Sequence, residues 1–420
     1  MNNRTRRPLP SASYSSFSIH NSSFLPTPCS VCIIVENLPV PVDRRVWQEA
    51  RTLTAAGYRV SIICPKGSGF DLSRETLEGI DIYRHRIWEA SGPLGYLIEY
   101  GSALAVEFFL ALRIYARTRF RVLQACNPPD TMFLIGLFFK LFGVRFIFDH
   151  HDLNPELFET KFHQKGFFYR LVCLAERLTF RTADVAIATN DSYRDIALSR
   201  GGISPERSFV VRSCPDLDNL RRQPPRPELK EGKDHLVVYL GVMGPQDGLD
   251  LLLESIRALV KDENRDDTLF VLIGGGTELP SLKAAAHAKD LDEVVRFTGR
   301  LPDDEVGAYF ATSDLGVAPD PKNAMNDVST MNKVLEYMAY DLPVVLYDLT
   351  EGRRSAEDAA LYARDNNPFD FARQIAKLLD SEALRRELGR RGRRRIEERL
   401  NWSIEKQALL KAYRTALRDD

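Results

Sequence analysis

The chain has 420 residues, which is too long for one ordinary hydrophobic core and predicts two domains, and 44% hydrophobic residues are enough to bury both. Lysine and arginine total 57 against 58 aspartates and glutamates, so no global charge marks a general polyanion binder and we expect no nucleic-acid partner. The six cysteines are scattered, which predicts reduced thiols without a disulfide framework or a metal site at the CxxC of Cys29 and Cys32.

Residues 1–29 are rich in Ser, Asn, Pro and Arg and are predicted to form a disordered leader. After them, short apolar runs alternate with helical patterns, which predicts parallel sheets with covering helices. The predicted strands are 31–35, 60–64, 145–148, 185–188, 209–211, 236–240, 270–273, 295–297, 315–317 and 344–347. A linker rich in Pro and Arg at 221–226 separates two Rossmann-like halves. The most apolar run, 132–142, contains Lys140 and is too short to cross a bilayer.

The segment PVDRRVWQEA follows the first predicted strand and carries Asp43, Arg44 and Arg45 at the start of a helix. We hypothesise that one of these arginines reaches a phosphate across the cleft between the two halves. A solvated first helical turn is an equally good interpretation of the same residues.

The segment FIFDHHDLNPELF follows a buried strand and brings five titratable groups to the strand's carboxyl end: Asp149, His150, His151, Asp152 and Glu156. Open parallel sheets bind ligands at that edge. Neighbouring residues of an extended chain point to opposite faces, so the two histidines do not easily share a metal ion, and we expect none. A polar cap and turn is the alternative interpretation.

Two glycine-rich turns follow predicted strands of the second half. In YLGVMGPQDGLDLLLESI a strand ends at Gly241, Gly244 lies in the loop, and a helix begins soon after Gly248. In IGGGTELPSL, Gly275 lies in the turn after the next strand. Glycines let the backbone approach a phosphate or a nucleoside closely, although ordinary tight turns explain the loops as well.

The stretch STMNKVLEYMAYDLPVV joins a polar turn to a helix and then to a buried strand. Ser329 and Thr330 are predicted to cap the helix, whose first amides and partial positive charge suit a diphosphate. Lys333 adds a cation, and Glu336, one helical turn after Asn332, can accept two hydrogen bonds from a ribose diol. A solvated helix carboxylate is the alternative for Glu336.

NKVLEYMAYDLPVV and the following YDLTEGRRSAEDAALYA resemble the donor-site signature of glycosyltransferase family 4, the group 1 transferases. The similarity covers nearly all of residues 30–418. It implies a GT-B fold, in which an α/β acceptor-side domain (30–218, completed by a C-terminal helix at 402–418 that crosses back) faces a nucleotide-sugar-binding domain (227–400).

The resemblance also implies roles for residues. Glu336 matches the family's second glutamate, while Val328 stands where the first is usual, so that Asp327 or Ser329 substitutes for it. Val242 and Asp247 stand where a loop Arg and Lys are usual, which leaves Lys333 to meet the phosphates, helped by Arg300 or by Arg353 and Arg354. The donor-binding residues implied are Gly241, Gly244, Gly275, Arg300, Asp327, Ser329, Thr330, Asn332 and Glu336. The acceptor-side residues implied are Asp43, Arg44, Arg45, Asp149 and His150.

The reaction implied is a retaining sugar transfer from a nucleotide diphosphate-sugar to a sugar or lipid-linked acceptor in polysaccharide or glycolipid biosynthesis. It needs no cofactor and no metal ion. His151, Asp152 and Lys333 are the catalytic residues implied, His151 by positioning and Lys333 by stabilising the leaving diphosphate. Two alternatives share the fold, namely a nucleotide-sugar epimerase and a catalytically weak partner subunit.

Segments 105–121 and 161–180 mix aromatic and basic side chains, as helices that bind membrane surfaces do, and a helix at 384–399 is rich in arginine. Core helices with one charged face are the favoured interpretation of the first two segments, and a solvated helix is the favoured interpretation of the third. We therefore expect a cytoplasmic protein. Peripheral contact with anionic lipid at the inner face of the cell membrane is a further hypothesis.

Overall fold

The computed structural model describes residues 29–86, 93–162, 165–263 and 265–418. The predicted leader lies outside these residues except for Cys29. Within them, eight strands form the first sheet: β1 (Ser30–Ile34), β2 (Arg59–Pro65), β3 (Arg74–Leu77), β4 (Ile80–His85), β5 (Val122–Cys126), β6 (Arg145–His150), β7 (Val185–Ala188) and β8 (Ser208–Val210). Six more form the second: β9 (His235–Leu240), β10 (Thr268–Ile273), β11 (Val295–Gly299), β12 (Leu315–Ala318), β13 (Val344–Tyr347) and β14 (Ala360–Ala363).

The α-helices lie between and after the strands: α1 (Arg44–Ala55), α2 (Pro93–Thr118), α3 (Phe133–Lys140), α4 (Asn154–Phe162), α5 (Phe167–Thr182), α6 (Asp191–Ile196), α7 (Leu249–Asp262), α8 (Leu279–Ala288), α9 (Asp303–Thr312), α10 (Asn332–Ala339), α11 (Thr350–Ala356), α12 (Pro368–Leu379), α13 (Glu382–Glu398) and α14 (Trp402–Leu417). Among the described helices, none is both long enough and apolar enough to cross a bilayer.

The first sheet has the order β3-β4-β2-β1-β5-β6-β7-β8 and is parallel except for the β3–β4 pair. One face is covered by α2, α3 and α5, and the other by α1 and α14. The second sheet, β11-β10-β9-β12-β13-β14, is parallel throughout, and helices cover both of its faces. All ten strands predicted from the sequence are present in these two sheets.

Helix α14 follows the second domain along the chain but packs on the first. Its residues Trp402, Leu409, Ala412 and Tyr413 lie in the same apolar cluster as Val31 of β1. The Trp402 amide also donates to the Pro215 carbonyl at 3.0 Å. The GT-B arrangement with a helix that crosses back, expected from the resemblance, is therefore confirmed.

Candidate functional site

The two glycine-rich turns of the second domain pack directly against each other. The Gly241 amide donates to the Ile273 carbonyl at 3.0 Å, and the Met243 amide donates to the Gly275 carbonyl at 3.1 Å. Gly274 has a φ of +137°, and a Cβ there would lie 1.8 Å from the Gly241 carbonyl oxygen. The backbone of both turns is therefore fixed at the carboxyl edge of β9 and β10, next to α10.

Helix α10 begins at Asn332 without a side-chain cap, because Met331 occupies the capping position. The prediction that Ser329 and Thr330 cap the helix is wrong. Ser329 Oγ donates to the Met325 carbonyl at 2.7 Å, and Thr330 Oγ1 accepts from the Asn190 side chain of the first domain at 3.1 Å. The first amides of α10 therefore have no side-chain acceptor at the cap, as a phosphate-binding helix end requires.

Lys333, in the first turn of α10, is nearly buried between an acid and an aromatic ring. Its Nζ lies 2.8 and 2.9 Å from the two carboxylate oxygens of Asp320 and 4.9 Å from the centre of the Tyr239 ring. Gly241 is adjacent, because a Cβ at that position would lie 3.3 Å from Lys333 Cε. A bound diphosphate would therefore compete with Asp320 for this ammonium group.

Asp247, at the position where the family usually has a lysine, faces inward. Its Oδ2 accepts from the Gly244 amide at 2.9 Å. Burial raises the pKa of Asp247, while the nearby Lys333 ammonium opposes that rise. Asp247 thus shapes the glycine turn by a hydrogen bond and supplies no cation.

Glu336 lies at the cleft and faces the first domain. Burial raises its pKa, and the Arg44 guanidinium opposes that rise. Arg44 extends from the first turn of α1, where its Nη1 is 3.5 Å from Glu336 Oε1 and its Nη2 also contacts Asp303. Of the two arginines considered for the cleft, Arg44 is therefore the one that crosses it.

Arg45 points into the first domain. Its Nη2 donates to Asp149 Oδ1 at 2.7 Å, and its Nη1 donates to the Val211 carbonyl at 2.6 Å. The Arg45 side chain is 7% exposed, so the hypothesis of a phosphate contact is corrected for this residue: a buried carboxylate already holds its charge. Asp43 likewise caps α1, because its Oδ1 accepts from the Val46 amide at 3.0 Å.

His151 lies at the carboxyl end of β6 with its ring held from one side. Its Nε2 is 2.8 Å from Asp149 Oδ2 and 3.0 Å from Arg45 Nε. Burial alone would lower the pKa of His151, but the Asp149 charge and hydrogen bond outweigh it, so the pKa is raised. The Asn127 side chain accepts from the backbone amides of His151 and Asp152 at 2.6 and 3.2 Å, which fixes the turn that carries both.

Asp149 and His150 are fully buried, which corrects their prediction as residues that meet an acceptor. Asp149 is occupied by Arg45, His151 and Gln124. His150 packs against the rings of Phe180 and Tyr193, and burial lowers its pKa to about 3, so it is a neutral core histidine.

Comparison with known proteins places these features in a family. Residues 42–214 match the model for a glycosyl transferase 4-like domain, and residues 234–381 match the model for glycosyl transferases group 1. The chain belongs to the group 1 glycosyltransferases. The two matches divide the chain as its two sheets do, and together they span both sides of the cleft.

Individual relatives of this group 1 glycosyltransferase are distant. It is 26% identical over 174 residues to an uncharacterised glycosyltransferase of Methanocaldococcus jannaschii, which is 41% of this chain and 46% of that protein. It is also 34% identical to a GDP-mannose-dependent alpha-(1-6)-phosphatidylinositol monomannoside mannosyltransferase of Mycobacterium tuberculosis. That alignment spans 140 residues, or 31% of this chain and 35% of that enzyme. The chain thus spans less than half the length of these relatives.

Among solved structures, sucrose-phosphate synthase from Thermosynechococcus elongatus superposes with a TM-score of 0.74 at 15% identity, covering 93% of this chain and 100% of that chain. WaaG, a glycosyltransferase involved in lipopolysaccharide biosynthesis, superposes with a TM-score of 0.66 at 17% identity, covering 90% and 98%. At such identities these likenesses show the fold alone.

Val328 occupies the position where group 1 enzymes usually have the first glutamate, and here it contacts the first domain. Val328 packs against an apolar cluster of Leu153, Ala188 and Tyr193 from the first domain. Its carbonyl accepts from the Asn190 side chain at 3.0 Å. The predicted substitutes make contacts within the protein: Asp327 accepts from the Thr350 amide and hydroxyl, both at 2.9 Å, and Ser329 lies 3.1 Å from the Tyr193 hydroxyl. Their role in place of the glutamate stays a prediction.

The remaining predicted cations are separate from Lys333. Arg353 pairs with Asp348 and lies over the Tyr362 ring, while Arg354 pairs with Glu351. Arg300 is exposed at the end of β11. Its role at the donor site stays a prediction.

A group of three potential metal ligands occurs beside His151. Ligand atoms of Cys126, Asp149 and His151 all lie within 4.8 Å of one another. The Arg45 guanidinium already lies against Asp149 and His151, and burial raises the pKa of the Cys126 thiol, so the thiolate that a metal needs is disfavoured. This donor set does not suit a divalent cation.

Sequence reasoning missed several residues that shape the site. Asp320 follows β12 at the same sheet edge as the glycine turns, a position that could have identified it. Tyr239 carries no local signal, and Asn190 has the residue type of an ordinary helix cap, here of α6. Glu351 lies in the quoted segment YDLTEGRRSAEDAALYA but was not singled out. Glu351 is buried and accepts from the Ser192 hydroxyl of the first domain at 2.6 Å, which ties the two domains together.

Proposed function

We propose that this protein is a glycosyltransferase that moves a sugar from a nucleoside diphosphate-sugar to an acceptor in polysaccharide or glycolipid assembly. The observation that carries the proposal is the uncapped start of α10, where Lys333 lies beside two closely packed glycine turns and Glu336 faces the acceptor-side domain. The diphosphate would take the Lys333 ammonium and the first amides of α10, and Glu336 would accept from the ribose hydroxyls.

His151 lies across the cleft in the first domain, where it would orient the acceptor hydroxyl or the transferred sugar. On the basis of family membership, we propose that the transferred sugar keeps its anomeric configuration and that no metal ion takes part. The leaving phosphate would then help to remove the acceptor proton, with Lys333 stabilising the charge that develops on the diphosphate. The fold is shared with nucleotide-sugar epimerases, which would convert the donor without any acceptor.

The test is thermal stabilisation of the purified protein by UDP, GDP, ADP and CMP at matched concentration, followed by nucleotide release from the corresponding sugar donors. We expect one nucleoside diphosphate to raise Tm, and Glu336→Ala, which leaves no side-chain acceptor for the ribose hydroxyls, to reduce the shift. Glu293→Ala, which changes an exposed carboxylate of the same domain, is the control and should keep the full shift. Absence of any shift would contradict the donor site, and isomerised sugar without acceptor would identify an epimerase.

Contact with anionic membrane is proposed for one face of the first domain, formed by α2, α3 and α5. These helices cover the same sheet face, and Phe108 of α2 packs on Phe138 of α3 with ring centres 4.8 Å apart. Their outer surface exposes large apolar side chains: Val106, Phe109, Leu134, Leu137, Leu141, Phe142, Phe167, Phe168, Leu171 and Leu174. Exposed apolar side chains gathered on neighbouring helices are typical of a surface that contacts a partner or a membrane.

Charge on these helices favours an anionic lipid surface as that partner. Exposed arginines on them are Arg113, Arg117, Arg170, Arg177 and Arg181. Among their described side chains, the acids Glu107 and Glu176 are both buried. Basic residues beside exposed aromatic and aliphatic ones are typical of helices that lie in a bilayer interface.

The arginine-rich helix α13 is a weaker candidate for this contact. Arg391 pairs with Asp358, Arg393 with Glu397 and Arg395 with Glu357. Arg385 donates to the carbonyls of Leu378 and Leu379. Most of its charge is therefore already used within the second domain.

Flotation with vesicles tests the membrane contact. We expect salt-sensitive binding to vesicles that contain phosphatidylglycerol. The double variant Leu137→Glu with Leu141→Glu should weaken it by about 10-fold or more, because two exposed leucines that would enter the bilayer interface are replaced by carboxylates. Phe369→Glu, which changes an exposed aromatic residue of the second domain, is the control. Binding that is absent, or equal for all three proteins, would remove this proposal.

A further inference from the structure

A buried chain of hydrogen bonds connects the C-terminal helix with the site of His151. The Tyr413 hydroxyl of α14 donates to the Gln124 side-chain oxygen of β5. Gln124 Nε2 in turn donates to Glu49 Oε2 at 2.7 Å and to Asp149 Oδ2 at 3.0 Å. All four of these side chains are fully buried.

Arg45 completes this chain on the side of α1. Its guanidinium lies 2.7 Å from Asp149, 3.2 Å from Glu49 and 3.0 Å from the His151 ring, while Nη1 is held by the Val211 carbonyl. A guanidinium bound at both ends cannot rotate, and a carboxylate that it holds cannot rotate either. The ring nitrogen of His151 therefore contacts two groups that are both fixed in place.

We propose that Arg45, Gln124 and Tyr413 are positioning residues that fix the His151 ring through Asp149, so that the C-terminal helix takes part in the catalytic apparatus. The catalytic consequence rests on the proposed transferase function. The orientation and titration of the His151 ring can be measured without any substrate, so the two proposals can fail separately.

Tyr413→Phe tests the far end of the chain, because it removes one hydroxyl and leaves the ring. We expect kcat to fall by about 5-fold, the value of one hydrogen bond, with the KM for the donor unchanged. Tyr58→Phe is the matched control, since Tyr58 packs edge-on against Tyr413 at 5.8 Å and loses a hydroxyl from the same core. Equal kinetics for the two variants would contradict a role for Tyr413.

Arg45→Met tests the centre of the chain, and Arg45→Lys restores the charge without the planar fork. We expect Arg45→Met to lower kcat by about 100-fold, as loss of orientation at a reacting group does, and Arg45→Lys to recover part of it. A phosphate-binding arginine would instead raise the KM for donor or acceptor. That outcome would overturn the positioning role.

Titration of His151 by NMR in the substrate-free protein gives the independent readout. Charged or titratable groups interact with this ring from three elements. They are Arg45 and Glu49 of α1 with its cap Asp43, Cys126 of β5, and Asp149 and His150 of β6. The Arg45 charge lowers the pKa of His151 and the Asp149 charge raises it. Arg45→Met should therefore raise that pKa, Arg45→Lys should leave it near the parent value, and Tyr413→Phe should broaden the ring signals.

The outcomes are separable. If no donor supports transfer but the His151 titration shifts as expected, the positioning network stands and the proposed function fails. If transfer is observed and Arg45→Met leaves both kcat and the His151 titration unchanged, the network has no positioning role. Arg45→Met leaves the buried Asp149 carboxylate without its cationic partner, which can prevent folding. If that variant does not fold, the kinetics and the His151 titration of Tyr413→Phe and Arg45→Lys test the positioning role.

Discussion

Lys333→Met is expected to lower kcat/KM for the nucleotide-sugar by about 100- to 1,000-fold, the usual effect of removing one preorganised charged donor from a developing anion. The Lys333 ammonium lies beside Gly241 and the first turn of α10, where a diphosphate would bind. Lys377→Met, which changes an exposed lysine on α12, is the control. Steady-state kinetics and thermal shift with the nucleoside diphosphate measure the effect.

Asp320 makes this prediction sharper, because it holds Lys333 in the ligand-free protein and is itself buried. Asp320→Asn should keep or strengthen nucleotide binding, since the ammonium no longer has to leave a carboxylate. The double variant Lys333→Met with Asp320→Asn leaves no buried unpaired charge, so it should fold normally and still fail to bind nucleotide. Nucleotide binding that survives in the double variant would contradict the donor site.

Gly274→Ala is expected to destabilise the second domain by about 3 kcal/mol or more, because overpacking and a forced backbone conformation both act at that position. An added Cβ would lie 1.8 Å from the Gly241 carbonyl oxygen, and the φ of +137° is rare for residues with a side chain. The melting temperature should fall by about 6–12 °C for a domain of this size.

Gly275→Ala is the matched control for Gly274→Ala. The neighbouring residue has a φ outside the left-handed region, and a Cβ there would have no atom within 4 Å. Its melting temperature should equal that of the parent protein. Because Gly275 is also a predicted donor-binding residue, a normal melting temperature with weakened nucleotide binding would show that a methyl group at this position obstructs the ligand. Equal destabilisation by both substitutions would contradict the packing of the two turns.

Most strands found from sequence have apolar runs, and three of the four strands missed, β3, β4 and β5, carry polar side chains. The fourth, β14, reads ALYA and was missed although it is apolar. β5 reads VLQAC, and its apolar run is interrupted by Gln124, a residue that the buried hydrogen-bond chain requires. β3 and β4 form an antiparallel pair with many polar side chains, and β14 has four residues. The segment 161–180 was read as one helical pattern, whereas α4 ends at Phe162 and α5 begins at Phe167.

The directions of side chains at the site depend on tertiary contacts, which cannot be read from the spacing of residues in the sequence. Arg44 and Arg45 are neighbours at the start of α1, yet one crosses the cleft and the other is buried, because Asp149 of β6 lies under Arg45. Ser329 and Thr330 have the residue types of a helix cap, but Tyr193 and Asn190 of the first domain contact them instead. Lys333 and Glu336 lie on the helix predicted for them, whose apolar stripe fixes its orientation, and their roles at the donor site stay predictions.

The return of α14 to the first domain has a consequence for the order in which the chain folds during translation. Tyr413 and Trp402 belong to the same apolar cluster as β1 and β2, which leave the ribosome first. That cluster stays incomplete until residues 402–417 have also emerged, whereas the second sheet, β9 to β14, is finished earlier. The domain that is synthesised second can therefore be the first to complete its core. The nascent acceptor-side domain keeps apolar surface exposed until α14 has emerged and packs on it.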